Sequence, residues 1–236
     1  MTLDNSALRR RTLNHVGRPV AAAAVIVTAA LFVYRGAMDA YFFDDDFQWL
    51  VGSWSFDVWN LVGIAQRSHF LRPVIELYFA VATPVFGGSP VLFHGASIAL
   101  HAANGVLLFA LAWEISGRFA YAFLAALFFV VQPADIDAVA WVGAIAEPLS
   151  AFFGCLAILG MLKFRRTSRR TWSALALSAF LLALLTHESS VVFLPLMTLA
   201  HCLRKTLECA GRTPLFYGCE LRHPRKHLAH CKSVSS

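Results

Sequence analysis

Three consecutive carboxylates, Asp44, Asp45 and Asp46, follow the first apolar run and precede an aromatic stretch of Phe47, Trp49, Trp54, Phe56 and Trp59. Adjacent like charges raise one another's pKa, so such a triple costs stability unless a cation or a proton offsets it. A carboxylate placed there can serve as a general base or hold a divalent cation near Asp45. The plainer reading is a solvated loop with aromatic residues at headgroup depth. Arg72-Pro73 closes the same loop. Its guanidinium can fork onto the phosphate oxygens of a lipid carrier, or simply anchor the chain at an interface.

His94, His101 and Asn104 recur at a spacing that keeps them on one stripe of a helix. Ionisable groups inside a membrane are functional candidates by default, and inter-helix hydrogen bonding is the structural alternative. Residues 132–141 close another apolar run with Asp135 and Asp137, and Glu147-Pro148 opens the next. Thr186-His187-Glu188-Ser189 makes a polar tip between two further runs. Each of these segments is either a polar turn or part of a second acidic surface facing the first.

Helices in a membrane must position these residues. Of 236 residues, 58% are hydrophobic and only 14% charged, with a mean hydropathy of +0.61. A soluble domain would be about half apolar and about a quarter charged. Global disorder is excluded, and one soluble core could not hide so much apolar surface. Uncharged runs at 19–34, 91–113, 119–134, 148–162, 171–186 and 189–203 predict an all-α, polytopic membrane helix bundle of about six spans. Gly87-Gly88-Ser89-Pro90 interrupts the longer run 77–113 by turn chemistry and a proline that cannot continue a helix. The piece before it, 73–86, is predicted to lie on the outer surface as an interfacial helix rather than to span.

The positive-inside rule decides that point. With 73–86 outside, all 20 basic residues except Arg35, Arg67 and Arg72 face the cytoplasm. Ten of the 14 acidic residues face outward: Asp39, Asp44, Asp45, Asp46, Asp57, Glu76, Asp135, Asp137, Glu147 and Glu188. The net charge of +6 is thus a sorting of charge across a membrane, and nucleic-acid binding is not expected. Residues 1–18 form a cytoplasmic N-terminus. The run that follows is too long for a signal-peptide core and lacks a clear cleavage site. The chain is therefore expected to be an integral membrane protein with several passes and a cytoplasmic N-terminus, and the location expected from the resemblance given below is a bacterial inner membrane. The tail 204–236 is basic and holds Cys209, Cys219, Cys231, His223, His227 and His230. It lacks the tight cysteine pair of common structural zinc sites.

In order along the chain, Asp45-Asp46, Arg72-Pro73, Phe86-Gly87, His94, His101-Ala-Ala-Asn104, Gln132-Pro133, Asp137-Ala138-Val139-Ala140-Trp141, His187-Glu188-Ser189 and Leu194-Pro195 resemble the C-type (GT-C) membrane glycosyltransferases. The nearest group uses polyprenyl-phosphate sugars and includes the O-mannosyltransferases with tetratricopeptide repeats and their bacterial relatives. Gln132, Asp137 and His187 stand where that group has His, Glu and Lys. The resemblance implies an inverting glycosyltransferase taking its donor, a sugar on a polyprenyl phosphate, from the outer leaflet. Asp45, with Asp46 or Asp44, would take the acceptor proton or hold a divalent cation. Arg72 and His187 would neutralise the leaving lipid phosphate, and Asp137 and Glu188 would orient them. His94, His101, Asn104 and Glu147 would line the substrate site. Because the pattern ends near Leu203, residues 19–203 are expected to be part of a GT-C region. The tail then reads as the aberrant end of a truncated or frameshifted product. The rival expectation is a non-enzymatic membrane protein: an inactive remnant, a scaffold or a transporter subunit.

Overall fold

The computed structural model describes residues 5–54 and 72–209. Phe56, Asp57, Trp59 and Arg67 lie outside the described residues, as do Cys219, His223, His227, His230 and Cys231. Among the described residues the regular elements are all helical. They are α1 (Asn5–Tyr34), α2 (Asp46–Trp54), α3 (Pro73–Phe86), α4 (Pro90–Ser116), α5 (Phe119–Val131), α6 (Ile136–Ala140), α7 (Ala146–Thr167), α8 (Arg170–Thr186) and α9 (Phe193–Cys209). Short 3₁₀ turns at Arg35–Asp39, Pro133–Asp135, Gly143–Ile145 and Glu188–Val192 connect them.

Among the described residues, three segments are long and apolar enough to cross a membrane: Gly17–Asp39, Pro90–Ser116 and Gly143–Thr167. Helices α3, α5 and α8 are apolar but shorter. At 1.5 Å per residue, the 13 residues of α5 cover about 20 Å of a hydrocarbon core about 30 Å thick. Apolar side chains point outward along these helices, among them Val20, Phe32, Leu124, Phe128, Leu177 and Leu181. Large exposed apolar surfaces on a helical bundle belong against lipid.

Boundaries follow local chemistry. Helix α3 stops at Gly87, whose φ of 59° is left-handed, and Pro90 starts α4. Helix α5 ends at Val131, short of the uncharged run, because Pro133 pushes Gln132 into an extended conformation. The last expected span is offset as well. Its first residues form a 3₁₀ turn, and the helix runs from Phe193 past Arg204 and Lys205. The outer loop contains a helix, α2, that the uncharged runs do not reveal.

Packing relies on small residues, as expected where lipid removes the hydrophobic drive between helices. Ala22, Ala30, Ala102, Ala122 and Ala126 line the meeting of α1, α4 and α5. Gly105 lies at that crossing. A Cβ there would strike Val130 and stand 2.9 Å from Ile26 Cγ2. Gly160 lets α7 approach α8 so closely that a Cβ would lie 3.1 Å from the Ala176 nitrogen. Helices α2 and α3 form a cap, with Leu50, Ile75 and Phe79 packed on Phe93 of α4 and on Val142 and Ile145.

Gly105→Ala is therefore expected to destabilise the bundle by about 1–3 kcal/mol through overpacking. Gly95→Ala, whose Cβ would meet only Met38 Cε at 4.0 Å, serves as the control. Thermal unfolding in detergent checks this, and equal melting of the two variants would refute the close crossing.

Candidate functional site

The three neighbouring aspartates occupy three different environments. Asp44 is exposed and holds φ at 48°, a left-handed conformation that Asp tolerates better than most residues. It turns the chain into α2. Asp46 is only 1% exposed. Its Oδ2 accepts the Phe43 N–H at 2.8 Å, closing the turn that leads into α2. Its Oδ1 accepts the backbone N–H of Gly143, 97 residues away. Burial nevertheless holds its pKa above the ordinary carboxylate value, with the two amides pulling the other way and the Asp45 charge adding to the rise.

Asp45 sits between these two extremes. It is half-buried, and its Oδ1 is shielded from solvent without a hydrogen-bond partner. Gly143 is what allows this approach. A Cβ at 143 would stand 2.5 Å from Asp45 Oδ1 and 3.1 Å from Asp46 Oδ1. His94 completes the group from α4. It is buried, lies beside the Ala40 backbone and interacts electrostatically with Asp46. Neither of its ring nitrogens reaches hydrogen-bond geometry.

A second group lies at the same end. Arg72, at the entry to α3, donates through Nε to Glu188 Oε2 at 3.0 Å and through Nη2 to Oε1 at 2.6 Å. This fork is the geometry by which arginine also binds phosphate. The Arg72 hydrogen bonds hold the Glu188 carboxyl down at about 2, against an ordinary value of 4.5. His187 Nδ1 accepts the Ser189 backbone N–H at 3.2 Å and lies 2.7 Å from Ser189 Oγ, while Nε2 lies 3.2 Å from Glu147 Oε1. Linked contacts run from Asp46 to Gly143, one turn further to Glu147, across to His187 and Glu188, and on to Arg72.

The polar stripe on α4 divides. Only His94 faces the acidic group. The His101 ring is stacked on Phe129 at 4.9 Å and meets Tyr34 edge-on at 5.0 Å, and Tyr34 Oη donates to the Gln132 carbonyl at 3.1 Å. Asn104 Nδ2 donates to the Pro148 carbonyl at 2.8 Å, tying α4 to the first turn of α7. His101 and Asn104 thus join helices. Asp137 is exposed on α6, where its backbone carbonyl accepts the Trp141 N–H. Among the described residues no three His, Cys, Asp or Glu side chains converge as a metal-binding group.

Two features escape the residue-by-residue reading. Gly143 receives the acidic loop through its backbone, and a backbone N–H carries no letter in a sequence. Glu114, at the far end of α4, gathers Lys163, Arg166 and Arg204 at 2.9, 3.5 and 2.9 Å. Its position as an acid at the end of a long apolar run, ahead of the basic inner segments, was the available signal. No protein-family model, curated protein or solved structure matches this chain.

The Arg72–Glu188 pair sets a pH dependence. A carboxyl depressed on folding stabilises the protein above its unfolded value near 4.5 and loses that contribution as pH falls through about 2. Glu188 is half-exposed, so water screens the contribution to no more than about 1 kcal/mol. Arg72→Gln should remove this component from the acid limb of stability measured in detergent between about pH 5 and pH 2. Parallel curves for variant and wild type would contradict the pairing.

Proposed function

We propose that this chain is a GT-C-type membrane glycosyltransferase that transfers a sugar from a polyprenyl-phosphate carrier to an acceptor on the extracytoplasmic side. The observation that carries the proposal is Asp45. Its carboxylate oxygen is shielded and unpartnered at the end of the bundle where Arg72 and His187 also lie. In this reading Asp45 takes the acceptor hydroxyl proton as the acceptor oxygen bonds to the anomeric carbon with inversion. The bond from that carbon to the phosphate oxygen breaks, and the electron pair leaves on the lipid phosphate. Arg72 and the Nε2–H of His187 meet the developing charge. Asp46 is a positioning residue, since both its oxygens are taken by backbone amides.

A divalent cation beside Asp45 fits poorly, because no third His, Cys, Asp or Glu among the described residues converges with its neighbours. Proton removal is therefore the role retained for Asp45.

The topology that serves this function has about six spans, with α3 interfacial on the outer side and residues 1–18 and the tail in the cytoplasm. Helices α5, α8 and α9 would cross by local thinning of the bilayer and by snorkelling of flanking Arg and Lys. The acidic end would then face outward from a bacterial inner membrane. The exposed apolar helix faces would hold the prenyl chain.

One observation favours a second, non-enzymatic reading. Arg72 already spends its fork on Glu188, and His187 is already paired with Glu147. In a remnant or scaffold these pairs would be permanent struts between α3, α7 and the tip after α8.

Transfer decides between the two. Full-length protein in liposomes, given labelled polyprenyl-phosphate sugars, is expected to glycosylate an acceptor. Asp45→Asn should lose about 10²–10⁴-fold in rate, and Arg72→Gln on the order of 10²-fold. Equal rates for wild type and Asp45→Asn would remove Asp45 from catalysis. Absence of transfer from every donor would leave the strut reading standing.

A further inference from the structure

Helices α2 and α3 cap the acidic end, and the nine residues of α2 are far too few to cross a membrane. Helix α2 is nevertheless apolar on its outside as well as its inside. Leu50 and Trp49 turn inward against Ile75 and Phe79 of α3. The opposite face presents Phe47, Val51 and Trp54, which are 48%, 70% and 83% exposed. Their spacing of four and three residues sets them on one stripe of the helix. Tyr41 and Phe43, in the turn ahead of α2, are 72% and 70% exposed. The Tyr41 and Phe47 rings lie 6.5 Å apart, so turn and helix make one ridge. Phe42 roots this ridge in the core, meeting Phe47 at 6.1 Å and Phe93 of α4 at 5.7 Å. After Asp46, α2 holds no charged residue. A helix facing water would carry polar and charged side chains on its outer face. This one carries two aromatic rings and a valine.

Chain connectivity sets the depth of the ridge. The 23 residues of Gly17–Asp39 cover about 35 Å, slightly more than a hydrocarbon core of about 30 Å. Its end at Asp39 therefore reaches the headgroup layer, which is roughly 5–7 Å deep on each side. Tyr41 follows two residues later, within about 7 Å of Asp39. Tyr and Trp favour this layer because it accommodates an apolar ring and a polar tip together. An amphipathic helix in the membrane plane buries its apolar stripe about 5–10 Å into the boundary between headgroups and acyl chains. We infer that Tyr41, Phe43, Phe47, Val51 and Trp54 form a lipid-contact surface, with α2 lying in the membrane plane and this stripe inserted at the headgroup–acyl boundary of the leaflet at the acidic end. Asp45, two residues before Phe47, is thereby held at headgroup depth. The surface does not depend on the transfer reaction proposed above.

Photolabelling of the full chain in phosphatidylcholine liposomes tests the surface. The probe is a bilayer-soluble aryl diazirine, with glutathione in the water to scavenge any carbene that escapes the lipid. Peptide mapping by mass spectrometry should find adducts on Phe47, Val51 or Trp54 at yields comparable to those on Leu124 and Phe128, which point outward from α5. Brominated phosphatidylcholine gives a second reading through tryptophan emission. Trp54→Phe should lose part of the quenching, and lose more of it with bromines near the headgroup than with bromines near the acyl end. An unlabelled α2 beside a labelled α5 would overturn the inference, since water or protein would then cover the face. Labelling that appears only when the protein is diluted in lipid would also overturn it, because a second copy would be the cover. Equal quenching of wild type and Trp54→Phe would contradict insertion of the ridge.

Discussion

A carboxylate removed from water must find donors or cations, and this constraint organises both ends of the bundle. Between the ends, helices satisfy the backbone internally and small residues let them touch. Very little charge remains there. At the ends the chain solves the same problem in two ways. Asp46 is satisfied by two backbone amides, from Phe43 and Gly143. Glu114 is satisfied by side-chain cations from two other helices. The first solution ties a loop to a loop and leaves the surrounding surface negative. The second ties α4 to α7 and α9 and leaves it positive. The asymmetry of the molecule follows from which donors each carboxylate recruited.

The Asp46–Gly143 bond has the longer reach. It seats the start of α2 on the turn before α7, and the aromatic cap of Trp49, Phe79 and Phe93 closes over that junction. Through α7 the same turn fixes Glu147, which fixes His187, and the tip then presents Glu188 to Arg72. Segments scattered from residue 43 to residue 189 therefore share one surface because of a few directional contacts rather than one continuous core. Such contacts are weak singly where they are exposed. Their order here comes from the buried member, Asp46, whose loss would leave two amides without acceptors.

Much of the helical frame was legible in the sequence, because apolar runs and glycine-proline punctuation report directly on backbone conformation. The break at Gly87-Gly88-Ser89-Pro90 is an example: it falls between α3 and α4. Span length was less legible. An uncharged run counts residues, whereas a helix ends where Pro133 dictates, so α5 is shorter than its run. Helix α2 was hidden because its start depends on the turn that Asp46 closes onto Phe43 and not on a long apolar stretch. Within the acidic end, composition located Asp45, Arg72 and His187 but could not separate Asp44, Asp45 and Asp46. Their differences arise from φ at Asp44 and from the absent side chain at Gly143, neither of which a triple of identical letters expresses. The stripe of His94, His101 and Asn104 misleads for a related reason. Residues on one stripe spread along the helix axis, so His94 reaches the acidic end while Asn104 sits about three helical turns below it, against Pro148.

The pairing of Arg72 with Glu188 gives the acidic end a definite energetic character. A bidentate carboxylate and a phosphate make the same demands on a guanidinium, so an incoming phosphate must displace Glu188 rather than add to it. Glu188 is half-exposed, and the carboxylate released would be rehydrated at little cost. Displacement is thus nearly an exchange between like partners, and its balance depends on what else the ligand touches. His187 follows the same logic. Its Nε2 now lies 3.2 Å from Glu147 Oε1, so a phosphate oxygen there would compete with that carboxylate. An anion at this end would inherit donors already oriented by carboxylates, and Asp45 alone among the three neighbouring aspartates would keep a shielded, unpartnered oxygen beside it.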